Sequence, residues 1–223
     1  MLMALSLGFR NGQRIVFLYI WNMVSIYNIK PKFQAFLRPV LDLLHKMRVT
    51  ANQITISSLC LSLIIGLLFW FADSCHLFFL ALPIGLFLRM ALNALDGMMA
   101  RTYNQQSKKG ELLNELGDVV SDLFIFFPLL KFEPSSLYLV VIFISLSVVN
   151  EFSGLLGKVI SGQRRYEGPM GKSDRAFVMG LYGLLAFLYV DITLYSIYIF
   201  AIINVLLIFS TVIRTSKTLK SNG

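Results

Sequence analysis

Between Arg48 and Asp73 the chain carries no charged side chain, and the interval is filled with Ile, Leu, Phe and small hydroxylated residues. About 20 apolar residues suffice to cross the hydrocarbon of a bilayer, and this run is long enough. Inside hydrocarbon every backbone N–H and C=O must be satisfied, which for a single run of this kind means an α-helix. Further apolar runs follow, and six spans are predicted, at 53–71, 77–100, 111–130, 137–156, 176–190 and 193–213. Of the 223 residues 57% are hydrophobic and 14% charged, whereas a soluble domain has about a quarter of its residues charged. The sequence therefore reads as an all-α membrane protein with six transmembrane helices.

The basic residues sort by side, as expected when positive charge stays in the cytoplasm. Arg10, Arg14, Lys30, Lys32, Arg38, Lys46 and Arg48 precede the first span, and Arg101, Lys108 and Lys109 follow the second. Lys158, Arg164, Arg165, Lys172 and Arg175 follow the fourth, and Arg214, Lys217 and Lys220 close the chain. Lys131 alone marks the other side, and Arg89 lies within a span. Both termini are thus expected in the cytoplasm, in a membrane of the bacterial inner type. The net charge of +8 hugs span ends, so anionic membrane lipids rather than nucleic acid are its expected partners. Cys60 and Cys75 suggest neither a disulfide framework nor a metal spacing, and His45 and His76 show no ligand pattern.

Residues 15–27 are apolar but too short to cross, and they lack the small-residue cleavage site of a secretory leader. Met23 offers a second start. Phe33, Phe36, Leu37, Val40, Leu41, Leu44 and Met47 then recur at helical intervals, with Lys32, Arg38, Asp42 and Lys46 on the remaining faces. This pattern predicts an amphipathic helix in the membrane interface, with Pro39 bending it or setting its start. Thr50 or Asn52 is expected to cap the first span. The expected organisation is an N-terminal segment over 1–48, a six-helix domain over 49–215 and a tail over 216–223.

One stretch breaks the apolar rule. Asn93, Asp96 and Ala100 share a helix face at the end of the second span, while Gly110, Asn114, Asp118 and Asp122 recur every four residues in the third. Polar groups in hydrocarbon cost kilocalories each, so a function is expected of them. If the two spans form an antiparallel hairpin, the helical rise predicts three rungs. Asp96 with Asn114 lies within about 8 Å of the surface, Asn93 with Asp118 at roughly 12 Å, and Arg89 with Asp122 at roughly 18 Å. The deepest rung reads as a mutually neutralising pair. The upper rungs offer oxygen donors alone, which suits Mg²⁺ or Mn²⁺. Gly97 and Ala100 leave the helix bare for a phosphate, Arg101 can hold one as a charged fork, and Gly110 relieves crowding.

The run Asp96-Gly97-x-x-Ala100-Arg101, eight residues, Gly110, three residues, Asn114, three residues, Asp118 resembles the signature of CDP-alcohol phosphatidyltransferases, D-x-x-D-G-x-x-A-R-x8-G-x3-D-x3-D. The spacing Thr50-x-Asn52-x-x-Thr55, the amphipathic helix and the six spans are similar to that family too. The resemblance implies transfer of a phosphatidyl group from CDP-diacylglycerol to an alcohol acceptor, with release of CMP. It also implies Mg²⁺ or Mn²⁺ held by positions 93, 96, 114 and 118, with Asp118 as general base. Gly97, Ala100, Arg101 and Gly110 would contact the nucleotide, and a homodimer would be family-typical. Here the first and third aspartates of the signature are Asn93 and Asn114, so these four side chains bring two negative charges instead of four. One tightly held ion is then expected, or a second that arrives with substrate, with Glu111 and Glu115 near enough in sequence to make up charge.

Ahead of the fifth span, Lys172 and Arg175 sit by a helix start where a phosphate or carboxylate of the acceptor could bind. Glu151, level with the upper rungs, joins them as a candidate acceptor residue, beside Asn150. Two other readings remain: a catalytically silent bundle that binds CDP-lipid or partners a lipid synthase, and a small transporter. The transporter is disfavoured because the polar groups gather at one face.

Overall fold

A computed structural model describes residues 30–220; the apolar segment 15–27 and Met23 lie outside the described residues. Residues Leu37–Gly223 form one compact unit, which holds the helices and the site described below from Leu37 onward. Seven long helices make up the described chain, with short helical turns between them and no strand among the described residues. They are α1 (Lys30–Lys46), α2 (Ala51–Trp70), α3 (Ala81–Thr102), α4 (Lys108–Phe126), α5 (Leu137–Ser161), α6 (Lys172–Phe187) and α7 (Ser196–Lys220).

Each boundary has a local cause. Thr50 caps α2: its hydroxyl accepts from the Gln53 N–H at 3.3 Å, and the Gln53 side chain accepts from the Thr50 N–H at 2.8 Å. Ser107 does the same for α4, accepting from the Gly110 N–H at 3.0 Å. Gly162 ends α5 at φ 73, a left-handed conformation that glycine adopts without steric cost. Pro39 lies inside α1 and neither starts nor ends it. Of the apolar residues on α1, Leu37 and Leu41 are buried, while Val40 and Leu43 are exposed.

Four helical stretches are long and apolar enough to cross a membrane: Ala51–Trp70, His76–Thr102, Pro134–Ser161 and Ser196–Lys220. The other two expected spans correspond to α4 and α6, which do not qualify by length and composition. The cause is the charge they carry: Lys108, Lys109, Glu111, Glu115, Asp118 and Asp122 lie on α4, and Lys172, Asp174 and Arg175 on the 16-residue α6.

The packing corrects the expected hairpin. α3 and α4 do not pack along one another; both pack on α2, while α6 lies on α3, α5 on α4, and α7 on α5. Gly66 of α2 makes the α2–α4 contact close, since a Cβ there would stand 2.3 Å from the Phe124 carbonyl oxygen. The starts of α2, α4 and α6 and the ends of α3, α5 and α7 meet at one end of the bundle. Ala51 N–H donates to Gln105 Oε1 at 2.8 Å, Lys158 pairs with Glu111, and Arg165 reaches the Lys217 carbonyl at 3.4 Å. At the opposite end Phe69, Phe79, Phe132, Phe143 and Phe200 fill the core with Leu82, Leu129 and Val140.

Candidate active site

The signature residues lie on the facing ends of α3 and α4, with α2 as a third wall between them. Thr55 Oγ donates to Asp96 Oδ2 at 3.0 Å, and Ser58 Oγ donates to Asn93 Oδ1 at 2.7 Å. Asn52 lies against Gly110, where a Cβ would come within 2.6 Å of the Asn52 side-chain oxygen. Gly110 therefore relieves crowding as expected, though the crowding comes from α2. Asn52 does not cap its helix; Thr50 does. Thr55 and Ser58 are the residues that the central stretch alone does not reveal. Their signal lies in α2 itself, where Asn52, Thr55, Ser58 and Ser62 recur at intervals that keep them near one helix face.

Across the cleft, Asp118 pairs with Lys172 through Oδ1. Asp96 lies close enough to Asp118 and Lys172 to feel both charges. Asp96 and Asp118 are 5% and 9% exposed, so both carboxylates are withdrawn from bulk solvent. Asn114 is half-buried one turn before Asp118. Arg101 is exposed, and its guanidinium lies over Gly97, 3.4 Å from where a Cβ would be. Ala100 is half-buried beside it.

The expected rungs are met in part. Arg89 Nη1 donates to Asp122 Oδ1 at 3.0 Å, so the deepest one forms, in a buried setting. The upper two do not form as direct pairs. Asn93 and Asp96 turn to hydroxyls of α2, and Asp118 turns to α6, because α2 stands where the hairpin would have closed.

Below the cleft runs a chain of buried ion pairs. Arg175 donates to Asp122 Oδ2 at 2.8 Å and to Glu151 Oε1 at 2.7 Å, and it also holds the Met170 carbonyl at 3.0 Å. Arg164 bridges Glu151 at 2.8 Å and Glu115 at 2.5 Å. Burial works against the Arg164 charge, but Glu151, Tyr166 and Glu115 outweigh it and hold its pKa above the usual value. Arg214 donates to the Asn150 carbonyl at 2.6 Å and to the Glu167 carbonyl at 3.1 Å. Glu111 and Glu115, expected to make up charge at the site, are paired with Lys158 and Arg164 instead. Of the acceptor candidates, Arg175 and Glu151 hold one another, and Lys172 holds Asp118.

No cluster of three or more His, Cys, Asp and Glu able to hold a metal occurs among the described residues. The donors at the cleft are two carboxylates and two amides, hard oxygen donors of the kind that bind Mg²⁺ or Mn²⁺ and that zinc does not favour. That donor set fits one such ion.

A helical membrane protein with carboxylate and amide side chains gathered at one end of its bundle is the class this geometry defines. The sequence profile of the CDP-alcohol phosphatidyltransferase family matches residues 48–213. The chain belongs to that family of transferases. It is 45% identical over 196 residues to the inner membrane protein YnbA of Escherichia coli strain K12, spanning 88% of this chain and 97% of that one. Two crystal structures of the Mycobacterium tuberculosis phosphatidylinositol phosphate synthase PgsA1 share the fold, each at 21% identity. The structure with CDP-DAG bound has a TM-score of 0.67 and covers 81% of this chain and 92% of its own. The one with manganese and citrate has a TM-score of 0.68 and covers 83% and 90%.

Proposed function

We propose that this protein transfers a phosphatidyl group from CDP-diacylglycerol to an alcohol, releasing CMP, with Mg²⁺ or Mn²⁺ as cofactor. The observation that carries the reading is the placing of Asp96, held by Thr55, and Asp118, held by Lys172, at the same end of the bundle as Gly97, Arg101 and Gly110. The names of the mycobacterial neighbours, one with CDP-DAG and one with manganese, point the same way. In this reading all six helices α2–α7 cross the membrane, α4 and α6 turning their charges inward, and α1 lies in the interface. The cleft opens to the cytoplasm, where both termini lie.

Asn93, Asp96, Asn114 and Asp118 would hold the ion. When bound, it supplies positive charge to the pyrophosphate oxygens and to the departing CMP. Gly97 and Ala100 let the nucleotide approach the α3 backbone, Gly110 lets α4 close on α2, and Arg101 binds a phosphate at the mouth. The acceptor hydroxyl oxygen attacks the phosphatidyl phosphorus, the phosphorus–oxygen bond to CMP breaks, and Asp118 takes the hydroxyl proton. Lys172, Arg175 and Glu151 form the acceptor side, the last two fixing its shape through Asp122 and Arg164.

Lipid mass spectrometry of cells expressing the wild type or Asp96→Ala tests this. A phospholipid present with the wild type and absent with the variant is expected, and its headgroup identifies the acceptor. The two asparagines favour one competing reading, a silent CDP-lipid binder. Identical lipid profiles, together with retained CDP-lipid binding, would establish that reading instead.

A further inference from the structure

The pairing of Lys172 with Asp118 has a role that the transfer reaction alone does not require. Two facts meet at this point of the cleft. Asn93 and Asn114 stand at two of the four donor positions, so the donor set carries only the charges of Asp96 and Asp118. A fixed cation from a different helix, the Lys172 ammonium, already sits on one of those charges. Lys172 is half-buried at the start of α6, which lies mainly along α3. Its side chain therefore spans the cleft to reach Asp118.

Three residues further along α6, Arg175 is anchored on Asp122, and Asp122 lies one turn beyond Asp118 on α4. The two helices are thus matched twice, lysine to aspartate and arginine to aspartate, at helical spacing. The deeper match is buried and sets the register in which Lys172 reaches Asp118. The ammonium contacts Oδ1 and leaves Oδ2 for another ligand.

Resting on the proposed function, we infer that Lys172 is the second cation of this site: a tethered charge that makes the cleft bind a single divalent ion. Two dications next to only two carboxylates would repel with too little to offset them. One dication on Asp96 and Asp118 Oδ2, with Lys172 on Oδ1, sets three positive charges against two negative ones, and the pyrophosphate of the donor neutralises the excess. The lysine and the two asparagines thus form one arrangement in which the amides lower the demand for cations and the lysine meets part of it.

The test is Mn²⁺ binding to the purified full-length protein in detergent, without lipid substrate, followed by the electron paramagnetic resonance signal of free Mn²⁺. The wild type is expected to bind one Mn²⁺ per chain. Lys172→Gln should bind Mn²⁺ at least about tenfold more tightly, since a like charge is removed from beside the ion. Lys172→Arg should keep the wild-type stoichiometry and affinity. Lys172→Gln combined with Asn114→Asp should take up a second ion. Lys172→Met replaces the glutamine variant should the latter prove unstable on thermal unfolding.

Two Mn²⁺ per wild-type chain, or an affinity in Lys172→Gln equal to or weaker than wild type, overturns the lysine's role and leaves the metal-dependent transfer standing. Absence of Mn²⁺ binding in every variant removes the metal reading of the cleft, and this inference with it.

Discussion

The two ends of this bundle bury acids in opposite ways. At the signature end Asp122 and Glu151 share Arg175, Asp122 also binds Arg89, and Glu151 also binds Arg164. At the other end Glu133 is fully buried with no ion pair among the described residues, and its carboxylate accepts from the Tyr182 hydroxyl at 2.8 Å. Around it the core is aromatic: Phe69 stacks on Phe132 with centroids 5.0 Å apart and meets Tyr182 edge-on at 5.9 Å. Burial there pushes the Glu133 carboxyl above its ordinary range. Where a site needs charge the fold supplies counter-charge, and where it needs only packing a lone acid is driven toward its neutral form.

The largest effect separating the two ends is on chemistry. Asp118→Asn should lower CMP release from CDP-diacylglycerol by about a thousandfold or more, the order expected when a general base and a metal-bound charge are lost together. Its thermal unfolding in detergent should stay near wild type. Arg175→Met should instead act on stability. It leaves Asp122 and Glu151 short of a buried partner, at a cost of about 3–5 kcal/mol measured by chemical or thermal unfolding.

Phe69→Ala at the aromatic end should cost about 3 kcal/mol through the cavity it leaves. Its surviving folded fraction should retain wild-type CMP release per folded molecule. A loss of activity in the Phe69→Ala folded fraction as large as that of Asp118→Asn would erase the distinction between the ends.

Glu133 sharpens the comparison by pH. Its folded-state pKa is raised, so the stability linked to its proton is present below the ordinary glutamate pKa and is lost as pH rises through the folded value. Glu133→Gln should therefore raise the unfolding temperature at pH 8 and leave it unchanged at pH 4, with the introduced amide oxygen still accepting from Tyr182. A variant that is less stable at both pH values would contradict this.

The smallest effect belongs to Asp73, outside the spans. A hydrogen bond from Lys131, 2.7 Å away, lowers its pKa. Its stabilisation is thus present at neutral pH and fades only as pH falls below the ordinary aspartate value. Because the pair is exposed, Lys131→Met should shift the unfolding temperature by no more than the scatter between preparations.

What can be read from the sequence follows the range of the signal. Apolar runs reveal the helices, and counting turns along two neighbouring segments reveals the Arg89–Asp122 pair. Asp96 and Asp118 stand out by periodicity within single helices. The rest depends on helices distant in the chain. Nothing in the spacing of α3 and α4 tells that α2 will wedge between them, so the ties of Thr55 to Asp96 and of Ser58 to Asn93 emerge only in the fold. Glu111 and Glu115 look like spare charge because their partners, Lys158 and Arg164, lie more than 40 residues further on. Asp118, one of the charges that make α4 too polar to read as an ordinary apolar span, is also one of the two acids of the site.

The claim beneath all of this is that Asp96 and Asp118 act on one cation. A crystal soaked in Mn²⁺ and measured at the manganese absorption edge tests it directly. One anomalous peak is expected within metal–ligand distance, about 2.0–2.6 Å, of an oxygen from each carboxylate. A peak bound by one of them without the other, or none in the cleft of a crystal that takes up Mn²⁺ elsewhere, would contradict it.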